Sequence, residues 1–212
     1  MRDLFERFKV IPVLIFPELQ DAAPTAAALL KGGLPVLEVT LRTDAAWYAL
    51  ENIIAAHPDA VTGVGTVLEP EQMMRAKEIG AKFAVSPGFD PLLAAAAREQ
   101  DLFYLPGVAT ASEVMLARRA GFRFLKFFPA EATGGKATLQ SFASPFNDIT
   151  FCPTGGINAE NFNDYLTLPN VACVGGSWVA TAADMERGDW QGIAAKAHAA
   201  RTVAGPSHPA RD

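Results

Sequence analysis

Lys126 lies in the most apolar stretch of the chain, Phe122-Arg123-Phe124-Leu125-Lys126-Phe127-Phe128-Pro129. Loss of water disfavours an ammonium, so a lysine in such a run can present the neutral amine that attacks carbonyl carbon. That is the setting of Schiff-base lysines. The chain has seven lysines, of which Lys9 and Lys82 start apolar runs and Lys31, Lys77, Lys136 and Lys196 fall on helix-like segments or their ends. Only Lys126 closes an apolar run. The competing reading is a lysine paired with a buried carboxylate or snorkelling to a rim.

A second group stands in Leu37-Glu38-Val39-Thr40-Leu41-Arg42-Thr43. In a strand, alternation turns Glu38, Thr40 and Arg42 to one face and Leu37, Val39 and Leu41 to the other. A carboxylate so enclosed suits a general base or proton shuttle, and Arg42 offers a fork for a substrate carboxylate. Mutual neutralisation of Glu38 and Arg42 is the plainer reading, and the two are compatible. Glycine pairs end two later runs, in Pro153-Thr154-Gly155-Gly156-Ile157 and Gly175-Gly176-Ser177. Backbone N–H groups left open by glycine can cradle a phosphate there, helped by a short helix from residues 178–185. Gly63-Val64-Gly65-Thr66, Ser86-Pro87-Gly88 and Pro106-Gly107-Val108 add a hydroxyl and tight backbone, with Thr66 on the reactive rim.

The elements that must hold these groups follow from periodicity. Eight short apolar runs, at 10–16, 35–39, 60–64, 82–85, 102–105, 123–127, 149–152 and 171–174, are each bounded by Gly, Pro, Ser or Thr, as buried parallel strands are. Helix-like segments rich in Ala and Leu alternate with them at 21–31, 44–56, 70–79, 91–100, 112–120, 136–143, 159–166 and 190–201. Asp44, Asp90, Thr110 and Asn158 offer starts, and Gly32, Gly80 and Gly121 offer stops. The pattern predicts an α/β protein, a (β/α)8 TIM barrel, over a doubly wound open sheet. It forms a single domain over 1–203 with a short N-terminal helix, followed by a flexible C-terminal tail at 204–212. In a barrel, reactive groups collect at the C-terminal strand ends, where Lys126, Glu38 and the glycine loops all fall.

Composition narrows the function further. The 212 residues are 50% hydrophobic and carry a net charge of -5 with no long run of either sign, which argues against a nucleic-acid or membrane surface. The start of the chain lacks the apolar core of a signal peptide, and no run is long enough to span a bilayer. Cys152 and Cys173 read as small buried hydrophobes suited to a reducing cytoplasm. His57, His198 and His208 fall on a helix end, a terminal helix and the tail, so neither a metal cluster nor a His-based triad is expected.

These strings, with Gly63-Val64-Gly65-Thr66-Val67-Leu68, Lys126-Phe127-Phe128-Pro129-Ala130-Glu131 and Gly175-Gly176-Ser177-Trp178, resemble the bacterial 2-keto-3-deoxy-6-phosphogluconate (KDPG) and 4-hydroxy-2-oxoglutarate (KHG) aldolase family, from about residue 10 to 201. The resemblance implies a cytoplasmic, homotrimeric class I lyase of the Entner–Doudoroff pathway with no metal or other cofactor. It would cleave a phosphorylated keto acid to pyruvate and D-glyceraldehyde 3-phosphate. It implies that Lys126 forms the Schiff base, Glu38 moves protons through water, and Arg42, Thr66 and Thr154 contact the pyruvyl part. Pro87 and Phe128 would be pocket walls, and Gly155, Gly156, Gly176 and Ser177 the phosphate cradle. Some relatives carry a polar residue after the first strand, where this chain has Ile15-Phe16-Pro17-Glu18. The sequence around Lys126 favours the gluconate substrate over its galactonate epimer. The rival readings are another phosphate-binding barrel enzyme and a non-catalytic sugar-phosphate sensor.

Overall fold

A computed structural model describes residues 1–204. The expected tail lies outside the described residues except for Ala204, which is buried and accepts a hydrogen bond from Lys9 Nζ at 3.2 Å.

The strands are β1 Val10–Leu14, β2 Val36–Thr40, β3 Val61–Gly65, β4 Phe83–Val85, β5 Phe103–Leu105, β6 Gly107–Val108, β7 Phe124–Phe127, β8 Thr150–Pro153 and β9 Val174–Gly176. All pair in parallel. A six-stranded sheet runs β5-β4-β3-β2-β1-β9 and a three-stranded sheet runs β6-β7-β8. The ladder is therefore a curled sheet of six beside one of three, and not the unbroken eight-stranded ladder that the spacing predicts. Proline accounts for one interruption: Pro106 has no N–H to give, so the fifth run splits into β5 and β6. The other lies between β8 and β9, joined only by the isolated bridges Phe151↔Val171 and Thr154↔Gly175. Consequently the last strand becomes regular only at Val174, three residues beyond the expected start.

The helices are α1 Arg2–Phe8, α2 Ala22–Lys31, α3 Ala46–Ala56, α4 Pro70–Ile79, α5 Pro91–Glu99, α6 Ala111–Arg119, α7 Gly135–Phe142, α8 Phe162–Leu166, α9 Ala182–Glu186 and α10 Trp190–Val203, and those after α1 supply the helical side of the main core. Asp90 caps α5 through Leu92 N and Leu93 N, and Thr110 caps α6 in a reciprocal box with Glu113. Asn158 caps the turn that precedes α8, accepting from the N–H groups of Glu160 and Asn161. α2 stops at its C-cap Gly32, as the sequence suggests, and the left-handed residue that follows is Gly33 (φ 88).

Most of the core lies between strands and helices. A second cluster fills the N-terminal ends of the strands, where Phe5 of α1 packs edge-on against Phe83 and Phe124 at centroid distances of 5.1 and 5.6 Å. Cys152 and Cys173 sit in that cluster as free, buried thiols, as their strand-like neighbours suggest. Burial and the adjacent Cys152 push the Cys173 thiol up, so it is a poor nucleophile.

The short helix expected over 178–185 is α9, which starts later, after the cap Thr181. It is tied to α10 by Asp184, a buried carboxylate that accepts from Lys196 Nζ at 2.7 Å and from Arg187 Nη2 at 3.1 Å. Burial alone would raise the Asp184 carboxyl, but Lys196 and the Thr181 hydroxyl and N–H outweigh it and hold the group at about 2. Because the folded value is depressed below 3.8, this stabilisation is complete above about pH 4 and is lost as pH falls toward 2. The Asp184→Asn variant is expected to be less stable by about 2 kcal/mol at pH 7 and to lose that difference by pH 2. Urea melts at the two pH values measure it.

Candidate active site

β2 and β7 place the two central groups. Lys126, third residue of β7, and Glu38, third residue of β2, meet between the three-stranded and the six-stranded sheet, with Lys126 Nζ donating to Glu38 Oε1 at 3.3 Å. Both side chains are almost removed from water, at 7% and 4% exposure. Lys126 thus has the buried carboxylate partner that the plainer reading foresaw. In this pair the anion is also within proton-transfer reach of the amine.

Space for that carboxylate comes from β3. A Cβ on Gly65 would stand 2.2 Å from Glu38 Oε1 and 2.7 Å from Glu38 Cγ, so any side chain there would expel the acid from its position. By sequence alone, Gly63-Val64-Gly65 reads only as tight backbone. The available signal was glycine recurring at alternate positions of a buried strand facing an acid. Gly65→Ala is expected to lower the rate of pyruvate imine formation by about 100-fold, because displacing a reacting group by about 1 Å costs that much. Stopped-flow trapping measures it.

Phe128 stands over the amine, its ring centroid 5.2 Å from Lys126 Nζ. Pro87 lies against Gly107, the register partner of Lys126; a Cβ on Gly107 would lie 2.2 Å from Pro87 O. Behind Pro87, fully buried Ser86 Oγ donates to Gly88 O and lies 2.6 Å from Tyr104 OH. Burial pushes the Tyr104 phenol up to about 12, leaving it a hydrogen-bond donor. Thr154 is buried and its Oγ1 would lie 2.4 Å from a Cβ on Gly175, so β8 and β9 approach closely at the site because that residue is glycine.

Thr66 follows β3 with φ 59, a conformation that costs a β-branched residue about 1–3 kcal/mol. Such strain is held where the surroundings fix the residue, and here it turns Thr66 at the end of the strand that seats Glu38. Nothing in its sequence announces it.

Arg42 lies past the end of the strand on which alternation rests. β2 ends at Thr40, whose Oγ1 donates to Leu14 O at 2.8 Å, and the chain then bends. Arg42 lies exposed beyond the strand, and among the described residues its guanidinium makes no hydrogen bond or ion pair with Glu38. Neutralisation of Glu38 thus comes from Lys126 instead. Phe16, at the position where some relatives are polar, is fully buried, and its carbonyl accepts from Thr43 Oγ1 at 2.7 Å.

Two glycine turns lie beside this pair. Gly155 (φ 97) and Gly156 (φ 79) follow β8, with Gly155 against Pro129 and Phe128, the residues that follow Lys126. Gly176 ends β9 under the Trp178 ring, and Ser177 is exposed next to it. Among the described residues no group of three His, Cys, Asp or Glu side chains is placed to hold a metal.

A lysine amine buried against a carboxylate at the strand ends of a parallel α/β fold is the arrangement of class I aldolases. The chain belongs to the aldolase family described as KDPG and KHG aldolase, which it matches over residues 1–196. It is 48% identical over 184 residues to the KHG/KDPG aldolase of Escherichia coli K12, covering 87% of this chain and 86% of that protein. The KDPG aldolase of Legionella pneumophila, solved with pyruvate captured as a covalent carbinolamine intermediate, superposes with a TM-score of 0.91 at 44% identity. The match covers 93% of this chain and 96% of that one. The Zymomonas mobilis ZM4 enzyme, solved with 3-phosphoglycerate, gives a TM-score of 0.88 at 46% identity over 94% of each chain.

Proposed function

We propose that this protein is a class I lyase that cleaves 2-keto-3-deoxy-6-phosphogluconate to pyruvate and D-glyceraldehyde 3-phosphate and also acts on 4-hydroxy-2-oxoglutarate. The observation that carries the proposal is the buried 3.3 Å contact of Lys126 Nζ with Glu38 Oε1. The names and bound ligands of its relatives support the same reading.

In this reading Glu38 first takes a proton from the Lys126 ammonium. The neutral amine attacks C2 of the keto acid, an amine proton passes to the C2 oxygen to give a carbinolamine, and the protonated Glu38 returns its proton to the C2 hydroxyl so that water leaves and the carboxylate is restored. The resulting iminium withdraws electrons from C3. Glu38, through water, takes the proton of the C4 hydroxyl; the C3–C4 bond breaks, its electron pair passes into an enamine, and the phosphorylated aldehyde departs. Protonation at C3 and hydrolysis of the imine release pyruvate and restore the lysine. One carboxylate serves every transfer because the water relay moves while the acid stays.

Arg42, free of the Glu38 partner, is left to clamp the substrate carboxylate from the rim, with Thr66 and Thr154 completing the pyruvyl contacts and Pro87 and Phe128 as walls. Gly155, Gly156, Gly176 and Ser177 cradle the phosphate. Closure of the strands into a complete (β/α)8 barrel is supported by the Thr154↔Gly175 bridge and by Pro106, across which β5 continues directly into β6. Assembly as a homotrimer is what the family resemblance implies, and the exposed Leu68, Leu92, Met115 and Leu116 offer apolar surface for self-association. A cytoplasmic location fits two unpaired cysteines, and no described helix is long and apolar enough to cross a membrane. Steady-state rates with phosphorylated and unphosphorylated keto acids test the substrate. The phosphorylated one is expected to have a kcat/KM higher by at least about tenfold, and equal values would contradict the phosphate cradle.

A further inference from the structure

Behind the Gly155-Gly156 turn lies a carboxylate that the mechanism does not use. Glu131 follows Lys126 by five residues and has its backbone N–H on Gly155 O at 3.1 Å, next to the Ala130 N to Thr154 O bond of 2.8 Å. Its methylenes cover the turn: a Cβ on Gly156 would lie 2.5 Å from Glu131 Cγ and 2.6 Å from its Cβ. The carboxylate points the other way, where Oε1 accepts a hydrogen bond from the fully buried Tyr165 of α8. Gly135 leaves room for this pair, since a Cβ there would stand 2.8 Å from Tyr165 OH and 3.3 Å from Glu131 Oε1. On its far side the turn is held by Asn161 Nδ2, which donates to Gly156 O at 3.0 Å.

An anion this close to a phosphate cradle is a hazard. Free to turn, it would accept from the same backbone N–H groups that a phosphate needs, or repel the phosphate outright. We infer that Tyr165 is a positioning residue for phosphate recognition: it ties the Glu131 carboxylate away from the Gly155-Gly156 turn so that only methylenes face it. Burial and the neighbouring carboxylate push the Tyr165 phenol up, so it remains a donor throughout the working range. This inference rests on the assignment of the turn as a phosphate cradle and adds which groups keep it open.

The test uses full-length protein with two substrates, 2-keto-3-deoxy-6-phosphogluconate and 4-hydroxy-2-oxoglutarate. Tyr165→Phe is expected to raise KM for the phosphorylated substrate about tenfold, the scale of one charge-assisted hydrogen bond. Its kcat/KM for the unphosphorylated substrate stays within about twofold of the parent. Adding Glu131→Gln to Tyr165→Phe removes the competing anion and is expected to restore KM, which a merely structural role would not do. Glu131→Gln alone, which decides the matter if Tyr165→Phe does not fold, is expected to leave KM for the phosphorylated substrate unchanged or lower. Equal effects of Tyr165→Phe on both substrates, no effect on either, failure of the double variant to restore KM, or a tenfold rise in Glu131→Gln would each overturn the inference. The parent protein separates this from the underlying reading: if it does not distinguish the two substrates, the cradle assignment itself fails.

Discussion

Lys126→Met is expected to reduce cleavage of the phosphorylated keto acid by on the order of 10^5-fold or more, the scale for loss of a covalent nucleophile. Met keeps the length and apolar character of the side chain but cannot form an imine. The substitution also has a structural cost, because Glu38 is left as a buried carboxylate without its cation, at 4% exposure. Breaking such a pair costs about 3–5 kcal/mol, so a lower melting temperature accompanies the lost activity. Lys126→Met combined with Glu38→Gln is expected to recover most of that stability and none of the cleavage. Recovery of cleavage would show that Lys126 acts only as a charge, which is the rival reading of a phosphate-binding enzyme without covalent chemistry.

Glu38→Gln is expected to slow both imine formation and C–C cleavage by about 10^2–10^4-fold, the usual contribution of a general acid–base group. Phosphate affinity should change little, because the Gly155-Gly156 and Gly176-Ser177 turns belong to other strands. Pre-steady-state formation of the pyruvate imine, measured with inorganic phosphate competition, separates the two. A large loss of phosphate binding would mean that Glu38 belongs to a different part of the site.

How far the sequence reveals this site depends on the kind of signal each residue leaves. Lys126 is legible because an ammonium in an apolar run contradicts the hydrophobic pattern around it, and Glu38 because alternation turns it inward with Thr40. Arg42 is placed by the same alternation, but period two holds only while the strand lasts and β2 ends at Thr40, so alternation alone does not fix its direction. Gly65 is ambiguous, because glycine at a strand end also serves turns, and only the 2.2 Å approach to Glu38 Oε1 shows what it admits. Glu131 lies next to the motif that carries the lysine, yet its partner Tyr165 is 34 residues on, and no local pattern pairs them.

The fold divides in the same way. Eight apolar runs set the alternation of strand and helix, and the helix caps at Asp90 and Thr110 follow from local hydrogen bonding. The break of the fifth run is set by Pro106, whose missing N–H matters only because a strand must pass there. The late start of β9 reflects pairing to β1, Val10 with Val174, a contact between the two ends of the chain that no window of sequence contains.

The central claim is that Lys126 forms the covalent intermediate. Borohydride reduction in the presence of pyruvate, followed by peptide mass mapping, tests it most directly. A reduced pyruvyl adduct on Lys126, absent from Lys126→Met, is the predicted result; no trapped mass under turnover conditions, or an adduct on another lysine, would contradict it.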